Sequence, residues 1–322
     1  MRKLFLLGLS AAALCSCGRP REPQRLSLAL QSWVGYGPLY LAQDKGFFKE
    51  EGLELLFVKE ELDPARRDAF QQGLLDCEAG TLDLLVSKRA QGAPIVAVTG
   101  MAESFGGDGI VAAEGIGSLS GLRGKRVALT SGDVNDTFLS AVFLKERLSR
   151  ASLRLVDRPP DQVAEAFLKH EADAAVTWEP WLSRALQRPG SRLLKSSRDY
   201  PGIIVDTLNV REDVLRDQPH LVRGLLRGWF KAVDFVREHP EEASRVMAPH
   251  YGLTPEQYRQ AADGLRWTSY AQASRPEQAR AWRDTFAAIA DIKLQAKAIA
   301  AKPDARQAID PSALGRLHEA HP

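Results

Sequence analysis

A chain of 322 residues has room for about two domains. With 44% hydrophobic and 26% charged residues it can bury a core, which excludes fibrous and disordered classes. Lys and Arg total 43 against 41 Asp and Glu. Arg2 and Lys3 fall in a segment expected to be removed, leaving a balanced chain without the positive excess that nucleic-acid binding uses, so no nucleic-acid partner is expected. Two of the three cysteines precede residue 18, so Cys77 alone cannot form a disulfide framework or a Cys-based zinc site in one mature chain.

The opening MRKLFLLGLSAAALCSC has two cations, a short apolar run and small residues. This is the pattern of a secretory signal over 1–16, too short to span a bilayer as a stable helix. Leu14-Cys15-Ser16-Cys17 resembles a bacterial lipobox, which implies a lipid on Cys17 and a membrane anchor. The polar, Pro-containing stretch that follows makes 17–24 a tether. The expected location is therefore the periplasm or cell envelope.

From residue 25 the chain alternates strand and helix patterns. LSLAL (26–30) and LELLFV (53–58) are apolar strand runs flanking a Gly-rich, aromatic loop (33–38) and a helix ending near Gly46. PARRDAFQQGLLD reads as a helix, and 93–101 and 109–114 as further strands. The Gly/Ser connection before RVALT (126–130) marks a second unit. It holds a helix with Ser131, Asp133 and Asn135 as candidate caps, the run LRLVDR, and a helix extending through QVAEAFLKHEADAAV. GIIVDTLNV (202–210) is another strand, followed by Pro-punctuated helical patterns. Such alternation predicts an α/β fold with open, mostly parallel sheets. The expected lobes are 25–113 with 205–322, and 114–204, enclosing a cleft.

No catalytic centre emerges. The six histidines lack H-E-x-x-H spacing, no G-x-S-x-G elbow exists, and no metal site is expected. GIGSLSGLRGKR fails as a phosphate loop because Leu119 stands at the first glycine and Arg126 follows the lysine; Ser120 breaks G-x-G-x-x-G. Cys77 reads as a buried structural thiol after an apolar helix. No cofactor is called for.

Five segments in register, WVGYGPLYLAQDKGFFKEEGL (33–53), SFGGDGIVA (104–112), LRGKRVAL with SGDVNDTFL (122–139), EADAAVTWEPWLSRAL (171–186) and GIIVDTL (202–208), resemble one family. It is the periplasmic solute-binding proteins of nitrate, sulfonate, taurine and thiamine-precursor ABC importers. The resemblance implies a type II, two-lobed flytrap fold with a helical C-terminal region. It also implies a small solute trapped at the hinge, and an ABC permease with a cytoplasmic ATPase as partners.

The residues themselves are compatible with that reading. Trp33, Gly35 and Tyr36 lie between a strand and a helix, where open α/β sheets bind ligands; the same rings would also serve as core caps. Ser131, Gly132 and Thr137 open a helix whose N–H groups suit an anion or an ordinary cap. Trp178 and Glu179 stand at another strand-to-helix junction, with Glu179 also placed to complement a helix dipole. Asp108 and Asp206 interrupt apolar surroundings and must be paired, solvated or liganded.

This inventory has aromatic rings, three carboxylates and a helix start but no obvious arginine. It favours a zwitterion such as taurine, or a flat aminopyrimidine, over an isolated inorganic anion. The alternatives are an enzyme on the same fold, of pyrimidine- or menaquinone-pathway type, and a sensing partner of a membrane receptor.

Overall fold

The structure, a computed structural model, describes residues 23–317. The signal segment, Cys17 and all but the last two tether residues lie outside the described residues. Gln24, expected at the end of the tether, already belongs to a strand.

One sheet has six strands: β1 (Gln24–Leu30), β2 (Leu53–Lys59), β3 (Cys77–Thr81), β4 (Ile95–Ser104), β10 (Val205–Arg211) and β11 (Leu265–Trp267), in the order β11-β4-β10-β3-β1-β2. The other has five: β5 (Asp108–Ala112), β6 (Arg126–Leu129), β7 (Arg154–Asp157), β8 (Ala174–Trp178) and β9 (Arg192–Ser196), in the order β7-β6-β8-β5-β9. Leu26, Leu28 and Leu30 of β1 are buried, and β1 pairs in parallel with β2 from Gln24–Leu53 to Leu30–Lys59. Gly46, at φ 76°, ends the helix Gly37–Asp44 and lets the chain turn into Phe47–Glu50.

Four expectations are corrected. The sheets are mixed rather than mostly parallel: β10 runs antiparallel to β3 and β4, and β5 antiparallel to β8 and β9. The physical reason is the double crossing, because a strand returning from the other sheet enters against the direction of its neighbours. The change of sheet falls between Ser104 and Asp108, not at 113–114; the run 108–112 finds its partners in β8 and β9. The helix expected through residues 174–176 stops at Leu168, and Ala174–Trp178 is the buried strand β8. Cys77 does not follow a helix but opens β3; it is fully buried, and burial pushes its thiol well above the ordinary range.

The two crossings are stitched together. Ser104 Oγ and Ser197 Oγ are 2.8 Å apart, and the Gly106 N–H donates to Ser197 Oγ at 2.7 Å. Phe105 N–H and Gly107 N–H both donate to the Gly264 carbonyl, at 2.8 and 3.1 Å. A Cβ on Gly264 would sit 2.5 Å from the Gly107 nitrogen, so only glycine permits this approach. The C-terminal helices cover the six-stranded sheet. Pro219–Glu238 buries Leu225, Leu226 and Trp229, and Trp282 of Pro276–Gln295 lies against Gly100 of β4.

Candidate functional site

The carboxyl ends of β1 and β3, the two crossings and the junction after β8 converge on one buried region. Trp33 Nε1 donates to Asp206 Oδ2 at 2.9 Å, and the Tyr36 hydroxyl donates to Asp206 Oδ1 at 3.1 Å. Asp206 is the second residue of β10 and is 1% exposed. Burial pushes its carboxyl up to about 7, with the Asp83 charge adding to the rise and the Trp33 and Tyr36 hydrogen bonds opposing it. Asp108, opening β5, is pushed up to about 8, first by burial and then by the Asp206, Asp83 and Glu179 charges, against a hydrogen bond from Ser104. Neither carboxylate has an ion-pair partner among the described residues. Gly35 does allow a close approach, but of its neighbour: a Cβ there would lie 2.3 Å from Trp33 Nε1.

The five-stranded sheet contributes across the gap. Trp178 Nε1 donates to the Ser32 carbonyl at 3.0 Å, and Thr137 Oγ1 donates to Asp83 Oδ2 at 2.9 Å. Glu179 accepts from Ser183 N at 3.1 Å and Ser183 Oγ at 2.9 Å, so its carboxylate holds the start of the helix Trp181–Ala185; burial raises its pKa. The helix Val134–Lys145 does not present free N–H groups where expected. Ser131 N–H donates to Asp157 Oδ1 at 2.9 Å, Gly132 N–H to Asp136 Oδ2 at 2.8 Å, and Val134 N–H to its cap Asp133. Asp133 is itself buried, and burial pushes it up to about 7 despite nearby Arg66.

The absence of an arginine is also corrected. Arg66 is 1% exposed, donating from Nε to Glu78 Oε1 at 2.9 Å and from Nη2 to Gln31 Oε1 at 3.1 Å. Lys88 bridges Glu78 and Asp63, at 2.7 Å to the latter. Burial works against the Arg66 charge, but Glu78 and Asp63 keep it protonated. One signal was available: Arg66 precedes Phe70 by one helical turn, on the buried face of Asp63–Gln71.

An open cleft of about 720 Å³ lies beside this region. It is lined by Asp63, Arg67, Asp133, Arg158 and Lys293, together with the expected Ser131, Gly132 and Thr137. Trp33, Gly35, Tyr36, Asp108, Trp178, Glu179 and Asp206 do not line it; contacts within and between the two halves enclose them. The expected residues thus form a buried hinge group and a cleft-mouth group, joined at Thr137 and Asp83.

Residues 33–243 match the family described as NMT1/THI5 like. The chain belongs to this family. Among relatives of this NMT1/THI5-like protein is a Bacillus subtilis chain named as a candidate aliphatic sulfonates-binding protein, 23% identical over 99% of this chain and 95% of its own. The alkanesulfonate-binding protein SsuA of Xanthomonas axonopodis pv. citri, solved bound to MOPS, superposes with a TM-score of 0.78 at 18% identity, covering 90% of this chain and 99% of that one. The periplasmic aliphatic sulphonate binding protein SsuA of Escherichia coli gives 0.74 at 20% identity, over 91% and 99%. The fold is that of the periplasmic binding proteins.

Proposed function

We propose that this chain is the solute-binding component of an ABC importer, anchored outside the cytoplasm through a lipid on Cys17. It captures a small amine-bearing sulfonate, taurine-like in chemistry, between two lobes and hands it to a permease driven by a cytoplasmic ATPase. The lobes correspond to the two sheets, and the chain segments 104–108 and 197–205 act as hinge. The family and its sulfonate-binding relatives support the class.

The observation that carries the solute's chemistry is the pair Asp206 and Asp108, buried together without a cation. Two carboxyls in that setting hold their protons because nothing positive balances them. A primary ammonium delivered to this spot supplies the missing charge, with the Trp33 and Tyr36 rings beside it. The sulfonate end points away from the two carboxyls, toward the cleft. Reaching the hinge requires the halves to part, breaking Trp178–Ser32 and Thr137–Asp83; these bonds re-form on closure and hold the closed state, in which a solute touches both lobes.

A thermal-shift panel of sulfonates with and without an amine, aminopyrimidines, amino acids and inorganic anions tests this reading. Stabilisation by the amine-bearing sulfonates above all others is expected. A response confined to nitrate or other simple anions contradicts the assignment.

A further inference from the structure

A second groove of about 870 Å³ opens on the six-stranded half, lined by Arg89, Arg216, Arg223, Arg283 and Arg306. Two carboxylates share it, and Arg216 is paired with Asp217 at its edge. Glu212 pairs with Arg89, and Asp310 caps the turn at Ser312. Arg283 donates to the Ile309 carbonyl at 2.9 Å and leaves Nε buried without a partner among the described residues. Arg223 and Arg306 have no side-chain hydrogen bond or ion pair among the described residues. The groove therefore carries a surplus of guanidinium groups, the side chain best suited to oxyanions such as phosphate.

Strand register places this groove in the molecule. Asp206, at one end of β10, is in the hinge; Arg211, at the other end, pairs with Ile95 at the start of β4. Val96 and Glu212, the neighbours of that pair, line the groove. The chain enters β1 at this same end, since β1 is parallel to β3, and Val210 of β10 faces Cys77 at the start of β3. The basic groove and the point where the N-terminal segment joins the fold thus share the pole opposite the hinge. Residues 17–23 reach at most about 25 Å when extended. An anchor on Cys17 therefore holds this pole, not the cleft, against the bilayer.

We propose that this arginine groove binds the phosphate headgroups of anionic phospholipids. It would form a second attachment beside the lipid anchor and orient the molecule with its hinge and cleft away from the membrane. The inference rests on the envelope-anchored reading above. Beside a lipid anchor, a basic surface is a standard further contribution to membrane attachment and sets the orientation of the molecule.

The test uses the full chain carrying Cys17→Ser, so that no lipid is attached, with and without Arg223→Glu and Arg306→Glu together. Both are mixed with vesicles of phosphatidylglycerol and phosphatidylcholine in equal parts, and with vesicles of phosphatidylcholine alone. At about fivefold per basic residue, reversal of two arginines should weaken sedimentation with the anionic vesicles by at least about 25-fold. High salt should abolish the preference for them. Equal binding by the two proteins, or no preference for phosphatidylglycerol, overturns the proposal. So does stabilisation by inorganic phosphate without vesicle binding, which would make the groove a free-anion site. If the double reversal does not fold, Arg223→Gln with Arg306→Gln gives the same comparison at smaller amplitude. Taurine titration of the same preparations keeps the two readings apart: solute binding should be unchanged by the groove substitutions, and its loss would count against the hinge assignment alone.

Discussion

The buried polar region has two halves with opposite electrostatics. Around Arg66, each charge has a counterpart: Glu78 and Asp63 face Arg66 and Lys88, and Gln31 takes a further guanidinium hydrogen bond. Around Asp206, two carboxyls face only neutral donors from Trp33, Tyr36 and Ser104. The first group balances its charges within the protein alone, with Glu78 Oε2 the one buried oxygen left without a hydrogen bond, and holds the helices 63–71 and 82–90 to the sheet. The second is incomplete, and an incomplete buried charge group is what a binding site looks like before its ligand arrives.

The sharpest way to break this contrast is to remove one member from each half. Arg66→Ala strands Glu78 without its guanidinium, and breaking a buried pair costs about 3–5 kcal/mol. At this chain length that is a fall of about 5–8 °C in Tm by calorimetry. A change of only a degree or two would mean the network is not structural. Asp206→Asn should instead leave Tm unchanged or slightly higher, because a poorly solvated carboxyl is replaced by a neutral amide. Its affinity for taurine should drop about 100-fold, as for loss of a buried charge partner. Equal effects of the two substitutions on stability would erase the distinction.

Acidity sharpens it further. Asp206 and Asp108 have folded pKa values near 7 and 8, above the ordinary value of 3.8. Between those limits the folded protein holds protons that the unfolded chain releases. Their contribution to stability is therefore full below about pH 4 and lost as pH rises through about 8. The unliganded protein should lose stability over that window, while taurine affinity should rise from pH 6 to 8.5 as the carboxylates ionise. A flat affinity profile would place the ammonium elsewhere. The smallest effect expected is that of Trp178→Phe, which removes one bond between the halves and should weaken solute binding about fivefold.

Much of this architecture was legible in the residues. Apolar runs marked β1, β2, β4 and β10, and the Gly-rich aromatic loop at 33–38 and the lone Asp206 in an apolar strand stood out against their surroundings. What was not legible depended on contacts between distant segments. CEAGT (77–81) has no strand period, because Glu78 is buried only by virtue of Arg66 and Lys88 arriving from two helices. The free helix start at Ser131 was a fair local reading, but Asp157, from the next strand, takes the first N–H. Strand direction in β5 and β10 was hidden for the same reason, since it is set by the route of the crossings rather than by composition.

The most direct measurement is a pair of calorimetric titrations at pH 8, with taurine and with propane-1-sulfonate, which has a methyl group where taurine has its ammonium. The account predicts at least about 100-fold tighter binding of taurine, with the difference abolished in Asp206→Asn. Equal or tighter binding of propane-1-sulfonate by the unaltered protein would contradict it.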